Sequence, residues 1–285
     1  MKAIRKRNKT ILYIAVFLLV SFIGYTIWGN LTVGINYYDV SFEKLPDAFD
    51  KFKIAQISDL HNAEFGKENL KIIKILKSEK PDIIVITGDL VDSNRTDVDI
   101  AINFVEQIVE IAPCYYVTGN HEAWIGTEYT EFENQLIESG VIVLHDEMIL
   151  LSKGNESIQI IGLDDPDFTY GSSYGQYSIF QSKLGNMNLP EGFKLLLSHR
   201  PEAFDAYVAN NIDLVLSGHA HGGQFRLPIV GGIVAPNQGL FPKYDAGTYT
   251  EAKTTMIVSR GIGNSIIPIR INNRPEVVIV RLHSH

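Results

Sequence analysis

Five short runs of apolar and β-branched residues, each followed at once by a polar cluster, constrain the fold of this 285-residue chain most strongly. Runs of this length and composition are typical of buried strands. Because α/β sheets bind ligands outside the carboxyl ends of their strands, the five clusters can converge on one site. The runs are residues 52–58, 83–87, 115–118, 194–198 and 214–217.

Helical patterns separate these runs, and five further strands are predicted at 141–144, 148–151, 158–163, 255–259 and 277–281, with a turn at 153–155. No Pro- or Ser-rich linker divides the body, so the pattern predicts one α/β domain. The helical stripes are Leu70, Ile73 and Leu76, which must end before Pro81; Ile100, Phe104 and Ile108; and Phe132, Leu136 and Ile137, which end at Gly140.

The N-terminus combines a basic end with an apolar span. Residues 1–10 contain five basic residues and no acid, and residues 11–29 are almost wholly apolar or small. Nineteen such residues are long enough to cross a hydrocarbon core of about 30 Å as a helix. A retained membrane anchor is favoured over a cleaved signal peptide, because no small-x-small cleavage site follows the span. The basic flank predicts a cytoplasmic N-terminus and an outside body, with Trp28, Tyr37 and Tyr38 at the membrane interface.

The charge of the body excludes some partners. The formal net charge is −8, but residues 11–285 carry 20 basic against 33 acidic residues, a balance of −13. Such a body lacks the basic field of non-specific nucleic-acid binding, so no nucleic-acid partner is expected. Cys114 is the one cysteine, which excludes a disulfide scaffold and a thiolate zinc cluster.

The polar clusters have the composition of a metal site. Each alone is compatible with an ordinary turn or helix cap. Together they supply carboxylate, amide and imidazole ligands without a thiol, a set that suits Mn, Fe, Zn or Co. In extended backbone, His219 and His221 would point to the same face and could reach one metal or two neighbouring ones. The clusters are Asp59-Leu60-His61, Gly88-Asp89, Gly119-Asn120-His121-Glu122, His199-Arg200 and Gly218-His219-Ala220-His221-Gly222-Gly223.

These blocks, in this order, resemble the calcineurin-like metallophosphoesterases, whose pattern is D-x-H, G-D-x-x-D, G-N-H-[DE], H and G-H-x-H. The runs LSHRPE at 197–202, GHAHGGQ at 218–224 and SRGIGN at 259–264 look most like the membrane-anchored or exported bacterial branch. The resemblance covers residues 51 to about 282. It implies a four-layer αββα sandwich, two sheets face to face with helices outside, and a dinuclear metal site at one edge.

The resemblance also implies roles for individual residues. Asp59, His61 and His221 would hold one metal, Asn120, His199 and His219 the other, and Asp89 would bridge them. His121 would contact the substrate and protonate the leaving oxygen, and Asp92 would pair with His121 and keep it protonated.

Phosphate contacts are less well defined. The protein-phosphatase branch has an arginine where this chain has Ser93, so phosphate contacts must come from elsewhere. Arg200 is the first candidate for substrate binding, with Arg95 and Arg260 as others. Glu122 is expected to support the site or start a helix, and Asp164-Asp165-Pro166 to form a turn.

The ligand set favours hydrolysis of a phosphate ester or pyrophosphate. Two cations about 3.5–4 Å apart bind phosphoryl oxygens and acidify a bridging water for in-line attack. The leading hypothesis is a membrane-anchored phosphoesterase acting on a phosphorylated small molecule or lipid of the envelope. A UDP-2,3-diacylglucosamine-type pyrophosphatase is a specific variant, and an inert metal-binding docking domain is the alternative from another class. The expected division is a basic end at 1–10, an anchor or uncleaved signal at 11–29, a linker and approach strand at 30–50 and the metallophosphoesterase domain at 51–285.

Overall fold

The computed structural model describes residues 2–169, 176–264 and 266–285; of the predicted basic end, residue 1 and the side chains of residues 2–7 lie outside this description. The helices are α1 (Lys2–Leu31), α2 (Leu70–Glu79), α3 (Val98–Val109), α4 (Asn120–Trp124), α5 (Glu128–Glu138), α6 (Gln176–Asn186) and α7 (Phe204–Ala209). The strands are β1 (Gly34–Phe42), β2 (Lys53–Ile57), β3 (Ile83–Thr87), β4 (Cys114–Val117), β5 (Ile142–Val143), β6 (Glu147–Lys153), β7 (Glu156–Leu163), β8 (Lys194–Ser198), β9 (Leu214–Ser217), β10 (Arg226–Leu227), β11 (Gly231–Gly232), β12 (Val234–Ala235), β13 (Gly239–Leu240), β14 (Gly247–Glu251), β15 (Thr254–Val258) and β16 (Glu276–Ser284).

Two six-stranded sheets form the body within the described residues. The first has the strand order β1-β16-β2-β3-β4-β5, and the second has the order β14-β15-β9-β8-β7-β6. Strands β2 to β5 run parallel to one another, and so do β7, β8, β9 and β15. The five predicted runs are β2, β3, β4, β8 and β9, so their carboxyl ends lie in the parallel parts of the two sheets.

Alternating side chains build three apolar layers. In β3, Ile83 and Val85 face a cluster shared with β8 and β9, whereas Ile84 and Ile86 face the helices α2, α3 and α5. The opposite face of the second sheet packs against α6 and α7. Since a strand alternates its side chains between two faces, both sheets are buried on both sides. The result is the predicted four-layer αββα sandwich.

Two helical stripes differ from prediction at one position each. Leu70 is 44% exposed because it is the first residue of α2, and the buried side is formed by Ile72, Ile73 and Leu76. Ile137 is 53% exposed near the end of α5, where Leu136 takes the buried position. Both predictions counted one residue too many on the apolar face.

The segment between the apolar span and β2 is part of the first sheet. Strand β1 pairs in parallel with β16 along its whole length, from Gly34 opposite Glu276 to Phe42 opposite Ser284. Tyr38 packs against the core between the sheets, which contradicts its predicted position at a membrane interface. Tyr37, on the other face of β1, is exposed, and its hydroxyl donates to Glu79.

Helix α1 contains the predicted span. Residues Asn8–Leu31 are long and apolar enough to cross a membrane, and most of their large side chains are exposed. The end of the helix contacts the body: the Tyr25 hydroxyl donates to Asn272 at 3.0 Å, and the Asn30 side chain donates to the Arg270 carbonyl at 2.7 Å. An exposed apolar surface on most of a helix is what a lipid-facing segment requires.

Candidate metal centre

The carboxyl ends of strands from both sheets meet at one edge of the sandwich. Two buried hydrogen bonds connect the sheets there: the Gln56 amide donates to the Ser217 carbonyl at 2.9 Å, and His199 Nδ1 lies 2.7 Å from the Thr87 carbonyl. Residues that follow strands of either sheet can therefore share one site.

A first group of potential metal ligands contains Asp59, His61, Asp89 and His221, all buried, with one ligand atom of each within 4.8 Å of the others. His61 Nε2 is 3.2 Å from His221 Nε2, which in turn is 3.4 Å from Asp59 Oδ1. Two imidazole nitrogens and carboxylate oxygens thus face a common point.

A second group contains Asp89, His199 and His219. His199 Nε2 lies 3.2 Å from Asp89 Oδ2 and 3.1 Å from His219 Nδ1. The same Asp89 Oδ2 lies 3.5 Å from His61 Nε2 of the first group. Asp89 is therefore common to both groups and lies between them.

Three of the four rings are neutral, as metal ligands must be, and His199 would lose a proton on binding a cation. Burial lowers the pKa of His61 to about 3 and lowers the pKa of His219 and His221 well below the ordinary value. Burial also opposes charge on His199, but the adjacent Asp89 carboxylate raises its pKa to about 10. Despite its burial, Asp89 has a pKa held well below the usual range, chiefly by His199. A bridging position between two cations requires an ionised carboxylate of this kind.

An unpartnered amide oxygen also fits a cation. Asn120 is 2% exposed, and its Oδ1 atom has no hydrogen-bond partner within the part of the chain that the structure describes. Leaving a buried acceptor unpaired is costly, and a metal ion would satisfy it. The residues present therefore fit divalent cations with oxygen and imidazole ligands.

The backbone at these side chains is strained. Asp59, His61, Asp89, His219 and His221 all have positive φ, between 46° and 65°, which residues with a Cβ rarely adopt. The expectation of an extended backbone at His219-Ala220-His221 is therefore wrong. The left-handed turns send His219 to the second group and His221 to the first, so the two rings serve different groups.

Glu122 stabilises the turn that carries Asp89. This buried carboxylate accepts backbone N–H bonds from Asp89, Leu90, Val91 and Gly119 at 2.7–3.3 Å. Four N–H donors on one carboxylate fix the path of the chain after β3 and before α4. Glu122 thus supports the site, as predicted, by accepting hydrogen bonds from the backbone around Asp89.

Ser93 contacts the His121 ring, with which the Asp92 carboxylate was predicted to pair. The Ser93 backbone N–H donates to His121 Nδ1 at 3.0 Å, so the ring proton of a neutral His121 lies on Nε2. Asp92 accepts from the Asn94 N–H at 2.8 Å and lies 3.4 Å from Arg95. Asp92 thus shapes the loop that holds Ser93 against His121.

Arg200 does not have the surroundings of a substrate ligand. Its guanidinium is 1% exposed and makes two hydrogen bonds to Asp165, at 2.5 and 2.8 Å, with Asp167 and Glu202 within 3.7 Å. It supports the 165–167 turn and the back of His219, which corrects the prediction of a phosphate contact. Arg260 lies 3.7 Å from Glu276, whereas the Arg95 side chain is 70% exposed and borders a surface cavity with His61.

Sequence reasoning missed the apolar residues beside the metal centre. A cavity of about 270 Å³ opens onto Asp89 and His219, and apolar side chains form most of its wall. Asn237 also lines it, and its Oδ1 accepts from Arg200 and lies 2.9 Å from His219 Nε2. None of these residues follows a predicted strand or carries a metal-ligand pattern, so no local signal identifies them. The apolar wall consists of Trp124, Val234, Ala235, Pro236, Ile266 and Ile267.

Comparisons with known proteins agree with this geometry. A family model described as calcineurin-like phosphoesterase matches residues 52–223. The chain is 32% identical over 245 residues to the uncharacterized metallophosphoesterase YkuE of Bacillus subtilis, covering 84% of this chain and 82% of that protein. It is 30% identical over 240 residues to the phosphodiesterase YaeI of Escherichia coli, covering 81% and 82%. It is 29% identical over 253 residues to a transmembrane protein with metallophosphoesterase domain of Danio rerio, covering 86% of this chain and 56% of that protein.

Proposed function

The chain belongs to the calcineurin-like phosphoesterase family, and from this premise we propose that it uses two divalent cations to hydrolyse a phosphorylated envelope or lipid-linked compound. The observation that carries the proposal is the position of Asp89, whose Oδ2 atom faces ligand nitrogens of both groups. The relative named as a phosphodiesterase makes a diester the first substrate class to test, followed by monoesters and pyrophosphates such as UDP-2,3-diacylglucosamine.

We assign most ligands by the two groups, and Asn120 by its unpartnered Oδ1 in the cavity that Asp89 and His219 also line. Asp59, His61 and His221 would hold the first cation, and Asn120, His199 and His219 the second, with Asp89 shared. The cations, of Mn, Zn, Fe or Co, would neutralise the phosphoryl oxygens and lower the pKa of water that attacks phosphorus.

His121 is the proposed hydrogen-bond donor to the leaving oxygen, through Nε2–H. Ser93 at Nδ1 keeps the proton of the neutral ring on Nε2, the other ring nitrogen, and His121 lines the cavity beside Asp89. Asp92 is a proposed positioning residue, since it shapes the loop that presents Ser93. Arg95 is the proposed phosphate contact in place of Arg200, because its side chain is exposed next to His61.

The domain division supports action at a membrane. We propose that residues 1–10 are cytoplasmic and that residues 11–29 cross the membrane. Residues 30–50 would connect the span to the metallophosphoesterase domain at 51–285. Strand β1, within this connection, pairs with β16 and completes the first sheet of the domain. The oligomeric state does not enter this proposal.

The test is turnover by the full chain in detergent, loaded in turn with Mn, Zn, Fe or Co, on monoester, diester and pyrophosphate substrates. Asp89→Asn should lower kcat/KM by about a thousandfold or more, and His121→Ala by about 10²–10⁴. Asp97→Asn and His285→Ala, both at exposed positions, are matched controls and should retain full activity.

Metal-independent turnover, or full activity in both site variants, would overturn the mechanism. A chain that binds two cations and cleaves none of the three substrate classes would favour an inert metal-binding docking domain.

A further inference from the structure

Apolar side chains project into solvent from three loops next to the cavity. Each is at least half exposed, and Ile229, at the tip of the β10–β11 turn, is fully exposed. Soluble monomeric proteins rarely leave such side chains grouped on their surface unless the group binds something. We call this group the apolar rim; it consists of Leu227, Ile229, Val230, Leu240, Phe241 and Ile266.

The backbone conformation at the rim favours function over folding. Ile229 has a φ of 73° and Phe241 a φ of 55°. Glycine or asparagine adopts these left-handed conformations at lower cost, and a β-branched residue there is a rare outlier. Bulky apolar residues at exposed, strained positions therefore need a reason outside the folded body.

The three loops are connected into one surface. The Phe241 N–H donates to the Ile233 carbonyl at 2.8 Å, and the Ile233 N–H donates to the Phe225 carbonyl at 2.8 Å. Phe225 in turn forms a bridge with Ile271, which lies on the segment that follows Ile266. The rim is thus a continuous set of neighbouring loops.

The segment 266–274 connects this surface to the apolar helix α1. The Asn30 side chain makes two hydrogen bonds to the backbone of Arg270, at 2.7 and 2.9 Å, and the Arg274 guanidinium lies 4.8 Å from the centre of the Trp28 ring. Tyr25 binds Asn272. The rim loops are therefore attached, through one short segment, to the end of the membrane span.

The position of these contacts along α1 indicates what the apolar rim faces. Tyr25 precedes the end of the span by six residues, or about 9 Å along the helix axis. Asn272 therefore lies beside the last turns of the span, at the level where Tyr and Trp side chains meet lipid headgroups. If α1 spans the membrane as proposed, loops attached to this segment lie at the surface of that bilayer.

We propose that the apolar rim is immersed in the outer face of the lipid bilayer, so that the metal-centre cavity opens toward lipid. Ile266 belongs both to the rim and to the apolar wall of the cavity, which gives an apolar path from the bilayer to Asp89. A phosphate ester whose other part is an acyl chain could then reach the centre without leaving the membrane. This substrate class rests on the proposed hydrolysis, whereas the position of the rim rests on the proposed membrane span of α1 alone.

The position is tested with fluorescent probes on the full chain in phosphatidylcholine vesicles that contain nitroxide-labelled lipid. Cys114 is buried and does not react, so Ile229→Cys and Phe241→Cys each carry one probe. Leu150→Cys on β6 is the matched control, since Leu150 is 59% exposed. Nitroxide near the headgroup should quench the probes at 229 and 241 at least twofold and leave the probe at 150 unchanged.

Absence of quenching at 229 and 241, or equal quenching at all three positions, would overturn the proposal. Shielding of these probes that depends on protein concentration and not on lipid would also overturn it, because the rim would then bind a second copy of the chain.

Activity tests the lipid path. The double variant Ile229→Asp/Phe241→Asp should hydrolyse a vesicle-embedded lipid phosphodiester at least tenfold more slowly and a soluble aryl phosphodiester at the parent rate, and Leu150→Asp should change neither rate. Equal losses on both substrates would contradict the path. A parent chain that cleaves neither substrate would contradict the proposed function, and the quenching result would still decide the position of the rim.

Discussion

At the scale of single residues, the metal centre depends on side chains that are not ligands. Five potential ligands have positive φ and occupy strained turns, which buried partners can hold in place. One partner is Glu122 behind Asp89, and another is Asn237 behind His219. Each contacts a potential ligand or its backbone through hydrogen bonds.

Glu122→Gln should destabilise the protein by about 3 kcal/mol. Oε1 accepts from Leu90 and Val91, and Oε2 from Asp89 and Gly119, so either orientation of the amide places an NH₂ group against backbone N–H donors. Urea titration of the detergent-solubilised chain measures the change. Glu138→Gln, at an exposed position on α5, should remain within about 0.5 kcal/mol of the parent. Equal stability of the two variants would contradict the role of Glu122.

Asn237→Ala should weaken the binding of one of two metal ions by about 10–100-fold. Asn237 Oδ1 lies 2.9 Å from His219 Nε2, and a proton on that nitrogen would leave Nδ1 unprotonated toward His199. Calorimetric titration with Mn or Zn measures both affinities, and Asn155→Ala, in the exposed β6–β7 turn, is the control. Two unchanged affinities would show that the tautomer of His219 is set elsewhere.

At the scale of elements, the connections between the two sheets depend on partners far apart in sequence. His145 lies in the loop between β5 and β6, contacts Asp164 after β7 at 2.9 Å and also contacts Glu133 on α5. It thereby joins an edge of the first sheet to the second sheet and to an outer helix.

This contact predicts a pH-dependent contribution to stability. The bond to Asp164, with the charge of Glu133, raises the pKa of His145 from 6.5 to about 9. The protonated ring therefore stabilises the fold fully below about pH 6.5, and its contribution is lost as the pH rises through 9. His145→Gln should cost about 1 kcal/mol or less at pH 6, because the side chain is 42% exposed, and nothing above pH 10.

Urea midpoints at pH 6 and pH 10 measure this difference, with His285→Gln at the exposed C-terminus as the control. A destabilisation by His145→Gln that is equal at both pH values would show that packing, and not charge, is what the ring contributes.

At the scale of the whole molecule, one apolar helix and an acidic body determine the expected topology. The basic flank of the span favours the cytoplasm, and relatives include transmembrane proteins. Protease added to intact cells should therefore digest residues beyond the span, as followed with an epitope after residue 285. An epitope fused before residue 1 should stay protected until the membrane is opened. Complete protection of the C-terminal epitope in sealed cells would contradict an outside body.

Local sequence patterns predicted strands β2–β9, β15 and β16, helices α2, α3 and α5, the acidic body, the apolar span and the order of the polar clusters, but not α4, α6, α7 or β10–β14. These features are local: strand and helix periodicity, turn residues and charge runs are properties of neighbouring residues. The potential ligands could be predicted for the same reason, since their clusters directly follow the ends of predicted strands.

Tertiary structure alone decided which side chains meet. Strand order brings Asp89 between His61 and His199, and left-handed turns separate His219 from His221. Arg200 is buried by Asp165, 35 residues before it, and Asn30 binds Arg270 across 240 residues. Such partners are chosen by long-range packing and burial, which local periodicity does not encode, so the cavity wall and the apolar rim become visible only when the chain is folded.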